Sequence, residues 1–290
     1  MKPPFPEFTP KDEDPAIVDK TGGVEPPALF EEDEQQGEDT QSISRLRDVP
    51  FRMLVPNLIT LGAICSGLTG IRMAFEGRFE LAVVAIVFAS ILDALDGRVA
   101  RFLKSSTSFG EQLDSLADFV NFGVTPAIIV YMWGLQDLRA FGWAVALVFA
   151  ICGCLRLARF NVMLEAPDKP DWHVDFFTGV PAPAGALLCL LPVYLGLLGV
   201  EPDGWISAAV VIYVLLIGFL MASNIPTWSG KRAGARVSRR WVIPVMLSLI
   251  LAVVLLFSYP WTVLTVGCLV YLSTVPFSIK DYARREGATV

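Results

Sequence analysis

From Val55 onward the chain is a succession of long apolar runs broken by short polar or charged turns. A helix that crosses a bilayer needs about 20 predominantly apolar residues. Eight runs approach that length: 55–75, 79–98, 113–135, 141–157, 180–200, 205–222, 241–258 and 261–277, the last two divided by a Tyr259-Pro260 turn. Trp133, Trp205, Trp241 and Trp261 stand near run ends, where indole rings sit at the membrane–water boundary. The pattern predicts an all-α polytopic membrane protein whose helical domain occupies residues 55–280.

Charge adds an orientation. Seventeen Lys and Arg residues fall in one alternate set of connections, including Arg98, Arg101, Lys104, Arg156, Arg159 and the cluster from Lys231 to Arg240. The other set holds three, Arg72, Arg78 and Arg139. The positive-inside rule then places both termini on the cytoplasmic side, as an even number of crossings requires, and a bacterial-type inner membrane is the expected location. Composition agrees: 18% of residues are charged and 54% hydrophobic, against about 25% charged in soluble domains.

The net charge of −6 divides unevenly. Residues 1–44 hold twelve acids and three lysines, a balance of −9, which leaves +3 for the rest. This tail is rich in Pro, Glu, Asp and Gly and cannot bury enough apolar surface to fold, so it is expected to be disordered. Residues 45–54 alternate Arg with apolar side chains and suit a short interfacial segment, limited by Pro50. Residues 281–290 form a cytoplasmic C-terminal tail. Met1 to Pro15 lacks the apolar core of a secretory signal. The five cysteines lie in apolar stretches and read as free thiols, and Cys152-x-Cys154 lacks the partners of a metal site. No nucleic-acid partner is expected.

Candidate chemistry is concentrated between the second and third runs. Asp93, Asp96, Gly97, Ala100 and Arg101 share one face of a helix at about 100° per residue. Gly110, Asp114 and Asp118, four apart, share one face of the next. Two helices joined by a short loop can point four carboxylates at one another. In a membrane each acid costs at least about 2.5 kcal/mol, and a bound divalent cation offsets both that cost and the mutual repulsion. Carboxylate oxygens suit Mg²⁺ or Mn²⁺, which also recruit phosphate oxygens. Gly97 and Ala100 leave room for a ligand, and Arg101 offers a planar fork to phosphate. The arrangement reads as a site for a diphosphate held by metal ions.

The spacing Asp93-x2-Asp96-Gly97-x2-Ala100-Arg101-x8-Gly110-x3-Asp114-x3-Asp118 resembles the signature of the CDP-alcohol phosphatidyltransferases. The resemblance implies a six-helix core around a site open to the cytoplasm, two extra C-terminal transmembrane helices, and commonly a homodimer. It implies two ions of Mg²⁺ or Mn²⁺ on Asp93, Asp96, Asp114 and Asp118, with Asp118 also the general base. It further implies that Gly97, Ala100, Arg101, Gly110, Asn57 and Thr60, with Thr107 as a phosphate contact, bind CDP-diacylglycerol. Three further stretches, Leu155 to Asn161, Phe177 to Ala184 and Ser223 to Lys231, are similar to the phosphatidylserine synthase branch. That branch joins CDP-diacylglycerol to L-serine by metal-assisted in-line attack, giving phosphatidylserine and CMP. A serine carboxylate needs a cation, for which Arg156 and Arg159 are candidates, with Asn161 and Asn224 as further polar contacts.

Two other readings compete. The same chemistry with glycerol phosphate, inositol phosphate or choline as acceptor shares the motif but not the three branch stretches. A divalent-cation transporter would place acids at mid-membrane on several helices, often with inverted repeats. The single histidine, His173, lies in a polar loop and excludes the histidine-lysine-aspartate mechanism of the other phosphatidylserine synthase type.

Overall fold

A computed structural model of the chain describes residues 51–105, 107–164, 176–228 and 239–286. The acidic tail, the interfacial segment up to Pro50, Ser106, the loop with Lys169 and His173, the basic loop containing Lys231, Arg232 and Arg236, and residues 287–290 lie outside the described residues.

Helix α1 spans Phe51–Phe75. It begins four residues before the apolar run and carries Pro56 in its second turn, where the missing N–H removes one intrahelical hydrogen bond. Gly77 at φ +73 ends it. The Arg78 N–H then donates to the Met73 carbonyl and the Gly77 N–H to the Ala74 carbonyl, the bonding that closes a helix in a left-handed residue. The chain reverses into α2, Phe79–Leu103. The two helices run close together, since a Cβ at Gly70 would lie 3.2 Å from the Ala82 carbonyl oxygen.

Lys104, at φ 49, terminates α2 in the same way, with the Ser105 N–H donating to the Ala100 carbonyl. Helix α3, Ser108–Asp118, starts on Thr107, whose side chain accepts from the Gly110 N–H at 3.0 Å. Beyond Asp118 the helix widens into a π-helical segment, Phe119–Val124, before α4, Thr125–Val130. The Thr125 hydroxyl donates to the Val120 carbonyl five residues back. A second wide segment and a 3₁₀ turn lead to Arg139, whose φ of 50 reverses the chain into α5, Arg139–Leu164.

The fifth apolar run forms two short helices, α6 at Ala182–Cys189 and α7 at Leu191–Leu197, divided at Leu190 ahead of Pro192. Helix α8 follows at Gly204–Ala222, then α9 at Arg239–Ser258 and α10 at Pro260–Glu286. One element was not expected: Phe176–Thr178 (β1) pairs antiparallel with Pro226–Trp228 (β2).

Among the described residues, four helical stretches are long and apolar enough to cross a membrane: Leu54–Phe75, Ser108–Val162, Gly204–Ala222 and Pro260–Arg284. The 55-residue Ser108–Val162 stretch contains the reversal at Arg139 and is a hairpin. Ala182–Leu197 and Val242–Ser258 are shorter apolar helices. The chain is therefore a helical polytopic membrane protein, as the hydropathy pattern predicts. Its packed centre joins Ile86, Phe122, Ile129, Phe149, Leu188, Tyr194, Ile217 and Met221, all fully buried. Outward faces remain apolar, as on α9 with Ile243, Leu247 and Phe257 exposed, because lipid is their solvent.

Candidate active site

Two walls meet at Asp118. The first is built by α1, α2 and α3. The tight turn through Lys104 and Ser105 and the Thr107 cap set α3 beside the end of α2. Oxygens of Asp93, Asp114 and Asp118 come within 4.8 Å of one another. Asp96 is not in that group. It is 4% exposed and accepts from the Thr60 hydroxyl at 2.7 Å. Asp114 interacts with both Asp93 and Asp96, so Asp96 lies beside the group of three.

A cavity of about 130 Å³ opens beside these carboxylates. Asn57, Thr60, Asp96, Gly97, Ala100, Thr107, Gly110 and Asp114 all line it. Besides the two predicted metal ligands Asp96 and Asp114, these are the sequence-predicted nucleotide residues apart from Arg101, which is exposed and donates through Nε to the Gly97 carbonyl at 3.0 Å. That bond leaves both terminal nitrogens of the guanidinium available. A Cβ at Gly97 would meet nothing within 4 Å, while one at Gly110 would lie 3.0 Å from the Asn57 side-chain oxygen. Glycine at 97 therefore keeps the cavity open, and glycine at 110 lets α1 and α3 touch. Pro56, which opens the stretch that carries Asn57 and Thr60, also lines the cavity, as do Ser105 and Glu111, which were missed by the sequence reading. Ser105 is 4% exposed, and its hydroxyl has no hydrogen-bond partner among the described residues.

The donor set fits a hard divalent cation. Three carboxylates converge, and Asp118 Oδ1 is fully buried without a hydrogen-bond partner among the described residues. Such an oxygen in apolar surroundings is costly unless a cation meets it. Asp93, Asp114 and Asp118 could hold a metal ion, with Asp96 beside them.

The second wall comes from three distant segments, and the three branch-like stretches are the ones brought together. Arg159, near the end of α5, donates to the carbonyls of Ala222 at 2.6 Å and Ser223 at 3.2 Å, and to the Asn224 side-chain oxygen at 2.7 Å. It satisfies the open carbonyls at the end of α8. The Gly179 N–H donates to the Ile225 carbonyl, and the Thr227 hydroxyl to the Gly179 carbonyl at 2.8 Å. Gly179 has φ +79, and a Cβ there would lie 2.6 Å from the Met221 carbonyl oxygen, so only glycine fits. Asn161 reaches across to α3, its amide 3.1 Å from the Ser115 hydroxyl.

Arg156 behaves differently from Arg159. Its guanidinium makes no hydrogen bond or ion pair among the described residues, and the ring of Phe160 lies 5.7 Å from it. It interacts electrostatically with Asp118 and with Tyr271 of α10. Arg159 and Asn224 thus bond to each other, Asn161 bonds to Ser115, and Arg156 faces the carboxylates. Asn121, one turn below Asp118, was also passed over in the sequence. It is 1% exposed with neither amide atom partnered among the described residues, and a Cβ at Gly67 would collide with it. A lone amide inside an apolar run was the available signal.

Residues 53–220 match the family model described as CDP-alcohol phosphatidyltransferase, and residues 240–276 match the one described as CDP-alcohol phosphatidyltransferase 2. The chain belongs to the CDP-alcohol phosphatidyltransferase family. It is similar to the CDP-diacylglycerol–serine O-phosphatidyltransferase of Mycobacterium leprae, 38% identical over 233 residues that cover 79% of this chain and 75% of that protein. The Helicobacter pylori (strain 26695) protein of the same name is 34% identical over 219 residues, 76% of this chain and 88% of the relative. The protein of that name from Methanocaldococcus jannaschii is 35% identical over 171 residues, 59% of this chain and 72% of its own length.

Proposed function

We propose that the chain transfers the phosphatidyl group of CDP-diacylglycerol to the hydroxyl of L-serine, giving phosphatidylserine and CMP. The observation that carries this reading is Arg156: a cation that makes no hydrogen bond or ion pair among the described residues interacts electrostatically with Asp118, in a chain 34–38% identical to enzymes named for serine transfer. An acceptor with a carboxylate needs such a cation, whereas choline would be repelled by it.

The cavity beside Gly97 takes the CDP group, with Arg101 and the Thr107 cap on its phosphates and Asn57 and Thr60 on α1 as polar contacts. Asp93, Asp96, Asp114 and Asp118 hold two ions of Mg²⁺ or Mn²⁺, which when bound neutralise the diphosphate and the charge growing on CMP. Asp118 accepts the proton of the serine hydroxyl. The serine oxygen forms its bond to the β-phosphorus as the bond from that phosphorus to the CMP oxygen breaks, in line and with no covalent enzyme intermediate. Arg156 binds the serine carboxylate. Arg159, Asn161 and Asn224 complete the surroundings of the acceptor, and they support Arg156 through the bonds that tie α3, α5 and α8 together.

The same reading has eight spans, both termini and the site on the cytoplasmic side of a bacterial-type inner membrane, a homodimer, and a solvated acidic tail before residue 45. Purified protein incubated with CDP-diacylglycerol, Mn²⁺ or Mg²⁺ and single acceptors tests it. Phosphatidylserine and CMP should form with L-serine. A lipid product only with glycerol phosphate, inositol phosphate or choline would replace serine by that acceptor.

A further inference from the structure

The motif that binds CDP lies within α1 to α3, inside the part of the chain that the first family model spans. Helix α10 lies outside it, yet reaches the same site. It packs against α7 and β2, and its Trp228-facing end is joined by the indole N–H of Trp228 donating to Asp281 at 3.4 Å. Two hydroxyls on α10 are buried without a hydrogen-bond partner among the described residues, Tyr271 and Ser278. They are seven residues apart and so share one helix face. Tyr271 stands beside Thr227, whose own proton goes to the Gly179 carbonyl, and interacts with Arg156.

Arg156 and Asp118 interact electrostatically but form no ion pair; the ion pairs on the described surface join Glu76 to Arg72 and Arg78. A buried anion and a cation that interact without direct contact each still call for a hydrogen-bonding partner. A small amino acid with a hydroxyl side chain offers both partners, its hydroxyl to Asp118 and its carboxylate to Arg156. The carboxylate has more lone pairs than one guanidinium edge can satisfy, and the buried Tyr271 hydroxyl, beside Thr227, is a further donor.

We propose that Tyr271 is an acceptor-binding residue: its hydroxyl joins the Arg156 guanidinium in receiving the carboxylate of an amino-acid acceptor, so that α10 selects the alcohol. This rests on the serine reading above. CDP binding belongs to the first wall and acceptor choice to a helix beyond the shared core.

The test uses the full-length protein with CDP-diacylglycerol and Mn²⁺, comparing wild type with Tyr271→Phe. Loss of one hydrogen bond to a charged group should raise the KM for L-serine about ten-fold. The KM for CDP-diacylglycerol should not move, nor should turnover with ethanolamine, offered as an acceptor without a carboxylate at a concentration at which the wild type turns it over. The melting temperature should hold or rise, because the hydroxyl removed is unpartnered. Tyr271→Leu is the second variant, with the same expected split between acceptors. An unchanged serine KM in a wild type that makes phosphatidylserine overturns the role of Tyr271 alone. So does an equal loss for serine and ethanolamine, which marks a packing defect. A wild type that makes no phosphatidylserine overturns both this proposal and the serine reading.

Discussion

The two walls of the site are built in opposite ways. The wall proposed to face CDP comes from a short reach of chain, Pro56 to Asp118, folded as three consecutive helices joined by tight turns. The wall proposed for the acceptor gathers the end of α5, the β1–β2 ribbon, the end of α8 and one face of α10. The first wall is held by local devices: the Gly77 and Lys104 helix ends, the Thr107 cap and the Thr60–Asp96 bond. The second is held by bonds between residues more than 40 positions apart, Arg159 to Asn224 and Asn161 to Ser115 among them. A family with one chemistry and many alcohols has reason to keep these apart. The wall that performs the shared step can stay constant while long-range contacts change around the acceptor.

That separation can be broken experimentally, and the largest effect is expected from metal removal. With a chelator, turnover should fall to background and return with Mg²⁺ or Mn²⁺, because converging carboxylates repel a diphosphate without a cation. Full turnover in chelator would remove the metal from the first wall. Asp118→Asn comes next, with kcat lowered about 10²–10⁴-fold, the usual cost of losing a general base. Measured at saturating metal, its binding of CDP-diacylglycerol should largely survive. Asp93→Asn should instead lose nucleotide and metal binding, and similar behaviour of the two variants would merge the roles given to these acids.

Arg156→Ala sharpens the other side. A charge-assisted contact to serine is worth about 1.5–3 kcal/mol, so its KM for serine should rise about ten- to a hundred-fold while that for CDP-diacylglycerol stays. If both constants rise together, the walls are not separable at this residue. The smallest effect is expected at Arg159→Ala. It leaves the carbonyls of Ala222 and Ser223 without their donor, and the melting temperature should drop by an amount corresponding to about 1–3 kcal/mol. Its serine KM should change less than that of Arg156→Ala.

The first wall was legible in the sequence because its geometry is local. Residues at helical spacing must share a face, and a cap such as Thr107 must stand next to its helix. Even there one detail escaped: Asp96 accepts a hydrogen bond from Thr60 on α1, a contact 36 positions away, which residue spacing along α2 does not show. The second wall was legible only as three stretches of family likeness. Nothing in residue spacing shows that Arg159 caps α8, that Phe176–Thr178 forms a strand, or that Tyr271 meets Arg156. Such pairings depend on how helices cross. The break at Leu190 and the early start at Phe51 were missed for a related reason, since hydropathy measures length of apolar run and not backbone continuity.

The π-helical segment after Asp118 has a consequence for how the protein can vary. Such a segment accommodates one residue more than an α-helix would, so it sets the rotational phase of what lies above it independently of what lies below. Asp114 and Asp118 stand above; Ala127 and Ile129, packed in the interior, stand below. Deleting a single residue within Phe119–Val124 would leave the hydropathy profile nearly untouched. It would turn one half of the helix against the other by about 100°, carrying the two acids off their partners on α2. The segment works as a coupling between two shafts, letting the buried half of the helix be repacked over evolutionary time without re-aiming the carboxylates.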